Sequence, residues 1–327
     1  MFNVVLDITV LSLLKLFFWV LKVIPDRVSY LISYLMTLLI IYSMPRFRRV
    51  AVRNLELVFP NKTPQERKRI MTDSLKELAT NIYSFAKNPR LTEDSVSKFL
   101  GETGGDEVAK VMAQARSGAN GKGVMIATAH FGNFELGSQL SSLVFGPSCI
   151  LARGFKLQRL SRWWNGRREM FGNTVFDRKG AYKEIEKSLN DGKSVAVLFD
   201  QNIVRKHAVF VDFFGISSAT TKALALAVLR TGAPLVLIVF VRKGGSDLAK
   251  VAKSTYAYRA VDITASKALE GIRERDLPLD DKVKIIMEEL HRSLERCILD
   301  NPEHWFWIHR RFKTRPPGHE VDLYEHV

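Results

Sequence analysis

Val124–Glu135, VMIATAHFGNFE, sets the architecture of the larger, C-terminal part of the chain. Its first five residues are a short buried-type run, Ala129 and His130 end it, Gly132 allows a tight turn, and a helical pattern begins near Phe134. A continuous apolar run of four to eight residues bounded by turn signals reads as a buried strand. Glycine tolerates the backbone angles that let strand give way to helix within a few residues. The alternation continues downstream, with expected strands at Val124–Thr128, Cys149–Ala152, Thr174–Phe176, Ser194–Phe199 and Leu235–Val241. Helical stretches fall near 133–143, 156–170, 180–190, 219–231 and 279–299. Strands alternating with helices predict an α/β fold: a mixed, largely parallel central sheet flanked by helices. Reactive groups in such sheets gather beyond the carboxyl ends of the strands, and His130 stands at one of them.

Histidine is the side chain whose unperturbed pKa, about 6.5, lets it take a proton near neutrality. A carboxylate bonded to one ring nitrogen fixes the tautomer and leaves the other nitrogen free as a base. His130 and Glu135, five residues apart, do not share one face of a continuous helix. With His130 in the turn and Glu135 in the first helical turn, the two can meet. The alternative is a histidine satisfied structurally at a strand end. Competing chemistries leave no trace: the chain has no G-x-S-x-G elbow, Walker A run, dinucleotide G-x-G-x-x-G or H-E-x-x-H. The remaining histidines lack metal-ligand spacing backed by carboxylates, so no metal is expected.

The first 45 residues are different in kind. Ile8–Ile24 is apolar apart from Lys15 and Lys22, and Val28–Met44 carries no charge before Pro45. A bilayer core requires about 20 apolar residues in a helix, so each run is close to that length, and residues 1–45 read as a membrane anchor. A cleavable signal is not expected, since no basic residue precedes the run and no Ala-x-Ala follows it. Arg46, Arg48, Arg49 and Arg53 come next, a cluster that marks the cytoplasmic side and attracts anionic headgroups. The alternative is a buried helical hairpin. Residues 46–120 read as helical, with Thr63-Pro64-Gln65-Glu66 as a helix start, and 121–327 as the α/β domain.

The chain has 327 residues, 46% of them apolar, and a formal charge of +15. That composition supports a sizeable core and excludes a disordered chain or a polytopic transporter. Two cysteines, Cys149 and Cys297, exclude a disulfide scaffold. The positive balance implies anionic partners. Much of it lies between Arg153 and Lys179, where Arg153, Lys156, Arg159, Arg162, Arg167, Arg168, Arg178 and Lys179 face only Glu169 and Asp177. Trp163 and Trp164 sit within that run and suit an interfacial or acyl-chain contact. A nucleic-acid partner would account for neither the His–Glu pair nor the apolar N-terminus, so none is expected.

Taken together, the blocks resemble the lipid A biosynthesis (lauroyl/myristoyl) acyltransferases within the glycerolipid acyltransferase superfamily. His130–Glu135 is similar to that superfamily's H-x4-[D/E] motif, Gly172–Arg178 to its second block, Asp200-Gln201 to its third and Ala233–Leu235 to its fourth. Arg53–Pro60, Val209–Gly215 with Ala219–Thr221, and Pro302–Lys313 resemble the lipid A branch, so the likeness runs in order from about residue 10 to 316. Phe134 and Phe312 stand where that branch commonly has Trp, and Ala152-Arg153-Gly154 where Tyr-Arg-Pro is usual.

The resemblance implies a glycerolipid acyltransferase-like fold and transfer of a fatty acyl group from acyl carrier protein or acyl-CoA to a hydroxyl of a phosphorylated glycolipid. It implies no cofactor beyond that co-substrate, an anionic membrane as partner, and the cytoplasmic face of a bacterial inner membrane as location. Glu135 is expected to orient His130, which takes the hydroxyl proton without a covalent acyl-enzyme. Backbone N–H groups near Gly132 and Asn133, or Arg167 or Arg168, would hold the oxyanion. Arg153 and Arg178 would bind the acceptor, and Asp200 and Gln201 would order the arginines. Trp305 and Trp307 either close the site or simply pack. Other acceptors, such as a lysophospholipid or a phosphatidylinositol mannoside, would keep the His–Glu pair, whereas a basic membrane-binding protein would leave it idle.

Overall fold

The computed structural model of the chain describes residues 2–87, 91–177, 180–244, 254–319 and 321–327. Six helices come first: α1 (Phe2–Val23), α2 (Asp26–Ser43), α3 (Pro45–Val58), α4 (Pro64–Lys87), α5 (Glu93–Leu100) and α6 (Asp106–Ser117). The alternating part follows as β1 (Met125–Thr128), α7 (Phe134–Phe145), β2 (Ser148–Leu151), α8 (Gln158–Arg168), β3 (Thr174–Phe176), α9 (Ala181–Asn190) and β4 (Ser194–Leu198). It ends with β5 (Ala208–Phe213), β6 (Ile216–Thr221), α10 (Ala223–Thr231), β7 (Leu235–Lys243), β8 (Thr255–Asp262) and α11 (Leu279–Asp300).

The main sheet has the order β3-β2-β4-β1-β7-β8, with every pairing parallel except β7–β8. Because side chains alternate across a strand, β1 and β7 divide their residues between two cores. Met125, Ala127, Leu235, Leu237 and Val239 pack with Ile185 of α9, Leu224 of α10 and Ile286 of α11. Ile126, Val236, Ile238 and Phe240 pack with Met112 of α6 and Leu140 of α7. Helices thus cover both faces, as parallel sheets require. The expected helix over 219–231 is corrected at its start: Thr220 and Thr221 belong to β6, paired antiparallel with β5, and the helix begins at Ala223.

The region before the sheet is stitched into the same core. Val50, Ala51 and Leu55 of α3 and Met71 and Leu75 of α4 share the cluster of α9–α11. α4 opens on a capping box: Thr63 Oγ1 accepts from the Glu66 N–H at 3.3 Å and the Glu66 carboxylate accepts from the Thr63 N–H at 2.7 Å. Buried Asn54 donates to the carbonyls of Trp307 and His309 at 2.6 and 2.8 Å and accepts from the Tyr324 hydroxyl. That network fastens the C-terminal segment across α3. Glu77 of α4 and Arg242 of β7 form a buried pair, with Nε at 3.0 and 3.1 Å from the two carboxylate oxygens.

Candidate active site

The parallel register of β1 and β4 runs from Met125↔Val195 to Thr128↔Leu198. Two residues beyond the last pair on each strand stand His130 and Asp200. The Phe199 N–H still donates to the Thr128 carbonyl at 3.1 Å, so the two chains stay side by side to that point. His130 Nδ1 lies 2.8 Å from Asp200 Oδ1, and the His130 backbone N–H donates to Oδ2 at 3.1 Å. The Trp305 indole donates to the same Oδ2 at 3.0 Å.

Asp200 is buried. Burial alone would raise its pKa, but the imidazole, the Trp305 indole and the His130 backbone N–H outweigh it and hold the carboxyl below the usual range. Burial likewise pulls His130 down, yet Asp200, with Glu135 adding through space, leaves its pKa above the ordinary histidine value. With the Nδ1–H donating to Asp200, Nε2 carries the lone pair, and the Gln201 amide stands 3.2 Å from it.

The turn carrying His130 is fixed from outside. Gly132 has φ of +58°, and a Cβ there would lie 1.9 Å from the Phe240 carbonyl oxygen. Its N–H donates to the His304 carbonyl at 2.8 Å, and its carbonyl accepts from Asn81 Nδ2 at 3.0 Å. The Phe306 N–H donates to the His130 carbonyl at 3.1 Å. The 302–306 segment is therefore a strap along the His130 turn.

The expected Glu135–His130 hydrogen bond is replaced by another pairing. Asn133 caps α7 by accepting from the Leu136 N–H at 3.2 Å, so Glu135 falls in the first helical turn and meets α8. Its carboxylate takes a two-pronged contact from Arg168, Nε at 3.0 Å and Nη2 at 2.5 Å, and a bond from Trp164 Nε1 at 3.1 Å. Arg167 points elsewhere: its guanidinium stacks on Phe85 at 3.8 Å and donates to the Phe85 carbonyl at 2.8 Å. The expected ordering of arginines by Asp200 and Gln201 is likewise corrected, since both side chains meet the imidazole. Asn133 is buried as a cap, Arg153 is exposed on the loop after β2, and Arg178 lies outside the described residues.

Glu135 and Arg168 stand at an apolar cavity that runs along α7 between helix and sheet. Gly137, Ser138, Ser141 and Phe145 line it from α7, with Ile150 and Ile238 among the strand residues opposite. Phe134, also in its wall, packs on the His130 ring with centroids 5.1 Å apart. Among the described residues, no three His, Cys, Asp or Glu side chains gather where they could hold a metal.

Of the two tryptophans expected either to close the site or to pack, Trp305 donates its indole N–H to Asp200, while Trp307 is a packing residue whose indole donates to the Pro302 carbonyl at 2.7 Å. Fold and site define an α/β enzyme with a carboxylate-paired histidine next to an apolar cavity. The family model for bacterial lipid A biosynthesis acyltransferases matches residues 4–314. A lipid A biosynthesis palmitoleoyltransferase of Escherichia coli (strain K12) is 27% identical over 282 residues, covering 86% of this chain and 83% of the relative. A lipid A biosynthesis lauroyltransferase of the same organism is 26% identical over 302 residues, 92% and 90% of the two chains. A lipid A biosynthesis acyltransferase of Haemophilus influenzae is 26% identical over 281 residues, 85% and 82%. The chain belongs to the bacterial lipid A biosynthesis acyltransferase family and is an acyltransferase.

Proposed function

We propose that the protein moves a fatty acyl group from an acyl thioester, of acyl carrier protein or coenzyme A, to a hydroxyl of a phosphorylated lipid A precursor at the cytoplasmic face of the inner membrane. The observation that carries this reading is His130, charge-paired with buried Asp200, standing against Phe134 in the wall of an apolar cavity. Relatives whose names specify palmitoleoyl or lauroyl transfer in lipid A biosynthesis support the donor and acceptor classes.

In this mechanism the acceptor hydroxyl takes the place of the Gln201 amide at Nε2. His130 removes its proton as the oxygen attacks the thioester carbonyl, and Asp200 stabilises the imidazolium that forms. The tetrahedral intermediate collapses with cleavage of the C–S bond, and the proton passes from Nε2 to the departing thiolate. The cavity along α7 holds the hydrocarbon chain. Arg168, kept at the cavity by Glu135, supplies positive charge near the developing oxyanion. Arg153, Lys156, Arg159 and Arg162 are exposed and give an acidic carrier protein or a phosphorylated acceptor a surface to meet.

The test is the mass spectrum of lipid A from cells with and without this gene. Loss of one acyl unit, restored by the wild type and not by His130→Ala, is the expected result. Unchanged lipid A with a shift elsewhere in the lipid extract would move the acceptor to another lipid. Restoration by His130→Ala would overturn the mechanism.

A further inference from the structure

The apolar N-terminal helices are seated on the enzyme along their length. Helix α1 is long and apolar enough to cross a membrane. The face it turns toward the protein is nevertheless continuous: Asp7 and Leu21 are buried, and Val10, Leu11, Leu14, Phe18 and Ile24 are half-buried, the three- and four-residue spacing of one helical stripe.

Both ends of that stripe are tied by polar bonds. Near its start, the Asp7 carboxylate accepts from the Arg159 and Leu160 N–H groups at 2.7 and 3.2 Å, capping α8. At its end, Lys87 of α4 donates to the Lys22 and Ile24 carbonyls at 3.1 and 2.5 Å and pairs with Asp26 at 3.1 Å. Between these points Phe18 packs on Phe85 and Trp163, with centroids 4.9 and 5.9 Å away. At 1.5 Å per residue the tied stretch is about 25 Å long, close to the thickness of a bilayer core.

A helix held in this way cannot cross lipid alone. If α1 spanned, α8 would enter the hydrocarbon with it, carrying the exposed cations Arg159 and Arg162. Charged side chains are costly at the bilayer centre, and so would be the Asp7 carboxylate if it left the α8 N–H groups it caps.

Helix α2 repeats the arrangement. Ser29, Tyr30, Ser33, Thr37 and Ile41 are buried, Tyr30 against Tyr83 of α4, while Val28, Leu31, Leu35, Leu39 and Tyr42 form the exposed stripe. On α1 the outward residues include Val5, Leu13, Leu16, Trp19 and Val20.

We propose that α1 and α2 form a platform that lies in the plane of the membrane surface, with its outward apolar side chains sunk to the headgroup–acyl boundary of an anionic bilayer. The charges select that occupant. Lys15, Lys22, Arg27, Arg46, Arg48 and Arg49 are exposed on or beside the platform. The carboxylates of its two helices are already engaged, Asp7 with α8 and Asp26 with Lys87. Apolar side chains flanked by unopposed cations match such a surface. The same seat places the membrane next to chemistry, because α8, capped by Asp7, carries the Trp164 and Arg168 side chains that hold Glu135.

The inference rests on the membrane-associated reading above and not on acyl transfer, and its readout is depth, so the two can fail separately. Full-length protein lacking native thiols (Cys149→Ser, Cys297→Ser) would carry a nitroxide at Val5→Cys, Leu13→Cys or Val20→Cys. These positions are exposed, and a melt followed by circular dichroism checks each fold. In phosphatidylethanolamine–phosphatidylglycerol vesicles, oxygen and nickel-chelate accessibility reads the depth of each label. The proposal expects all three at a similar shallow depth, about 5–10 Å into the headgroup–acyl boundary. Leu13→Cys at the bilayer centre, with the other two near opposite surfaces, would overturn it in favour of a span. Labels that stay out of lipid and broaden one another would overturn it in favour of a second copy of this chain as the occupant.

Discussion

At His130 the two carboxylates within electrostatic reach have separate employments. Asp200 receives the ring N–H, the His130 backbone N–H and the Trp305 indole, while Glu135 is held by Arg168 and Trp164. In the proposed mechanism Trp305 is a positioning residue whose contribution a pH profile can read. The charges acting on the imidazole are Asp200 and Glu135, which raise its pKa, and Arg168, which lowers it. Trp305→Phe removes one donor from Asp200, leaves more negative charge facing the ring and raises the imidazole pKa further. Since His130 must be neutral to take a proton, the acidic limb of kcat/KM should move to higher pH, with stability down by about 1 kcal/mol for the lost bond. A wild-type acidic limb in Trp305→Phe would reduce the indole to packing. His130 is legible in the sequence because a lone histidine ends an apolar run before a glycine. Its partner is not, because Asp200 becomes a neighbour only through the β1–β4 register, 70 residues apart in the chain.

At the scale of elements, α7 does two jobs. Its first turn delivers Glu135 to α8, and its cavity face is kept small by Gly137, Ser138 and Ser141. Ser141 is seven residues beyond Phe134, or about 10 Å along the axis at 1.5 Å per residue. Ser141→Leu should therefore obstruct the cavity well inside its wall, shifting preference to shorter acyl chains while leaving turnover of short ones largely intact. Competition between two acyl thioesters of different length measures it, and an unchanged ratio would place the chain elsewhere. The sheet's parallel strands were readable as short apolar runs because both faces are covered. The β5–β6 hairpin and β8 were not expected. Thr220 and Thr221 adjoin an apolar helix and blended into its pattern, and Arg259 of β8 faces outward and breaks the run.

Across the whole molecule, buried histidines set the response to acid. His291 is fully buried, its Nδ1 2.6 Å from the Met287 carbonyl and its Nε2 accepting from Arg311 at 3.1 Å, and burial with Arg311 pulls its pKa down to about 3. His309 is pulled down to about 4, first by burial, and its Nε2 accepts from the Asn202 N–H. A base whose folded pKa is depressed contributes stability in full above its unfolded value, about 6.5, and loses it as pH falls toward the folded value. His130, raised in the fold, has the opposite sign and loses its contribution only as pH rises above about 6.5. Melting temperature should therefore fall on acidification from pH 6.5 to about 5, each depressed histidine costing up to about 1.4 kcal/mol per pH unit. His291→Gln should make that slope shallower; an unchanged slope would assign acid sensitivity to other groups. In the sequence both lack metal spacing and His309 reads as a packing or hydrogen-bonding residue of an aromatic stretch; their depth of burial, by α11 and the C-terminal segment, is a property of the assembled fold.

In the proposed mechanism a His130–Asp200 pair, and not a His130–Glu135 pair, drives acyl transfer. Its most direct measurement is the initial rate of purified protein with an acyl thioester and a phosphorylated glycolipid acceptor, comparing wild type with His130→Ala, Asp200→Asn and Glu135→Gln. His130→Ala and Asp200→Asn should each lose about 10²–10⁴-fold in kcat, the range of a general base, with Glu135→Gln losing less and chiefly through Arg168. Full turnover by His130→Ala, or wild-type kcat in Asp200→Asn beside an inactive Glu135→Gln, would rule that mechanism out.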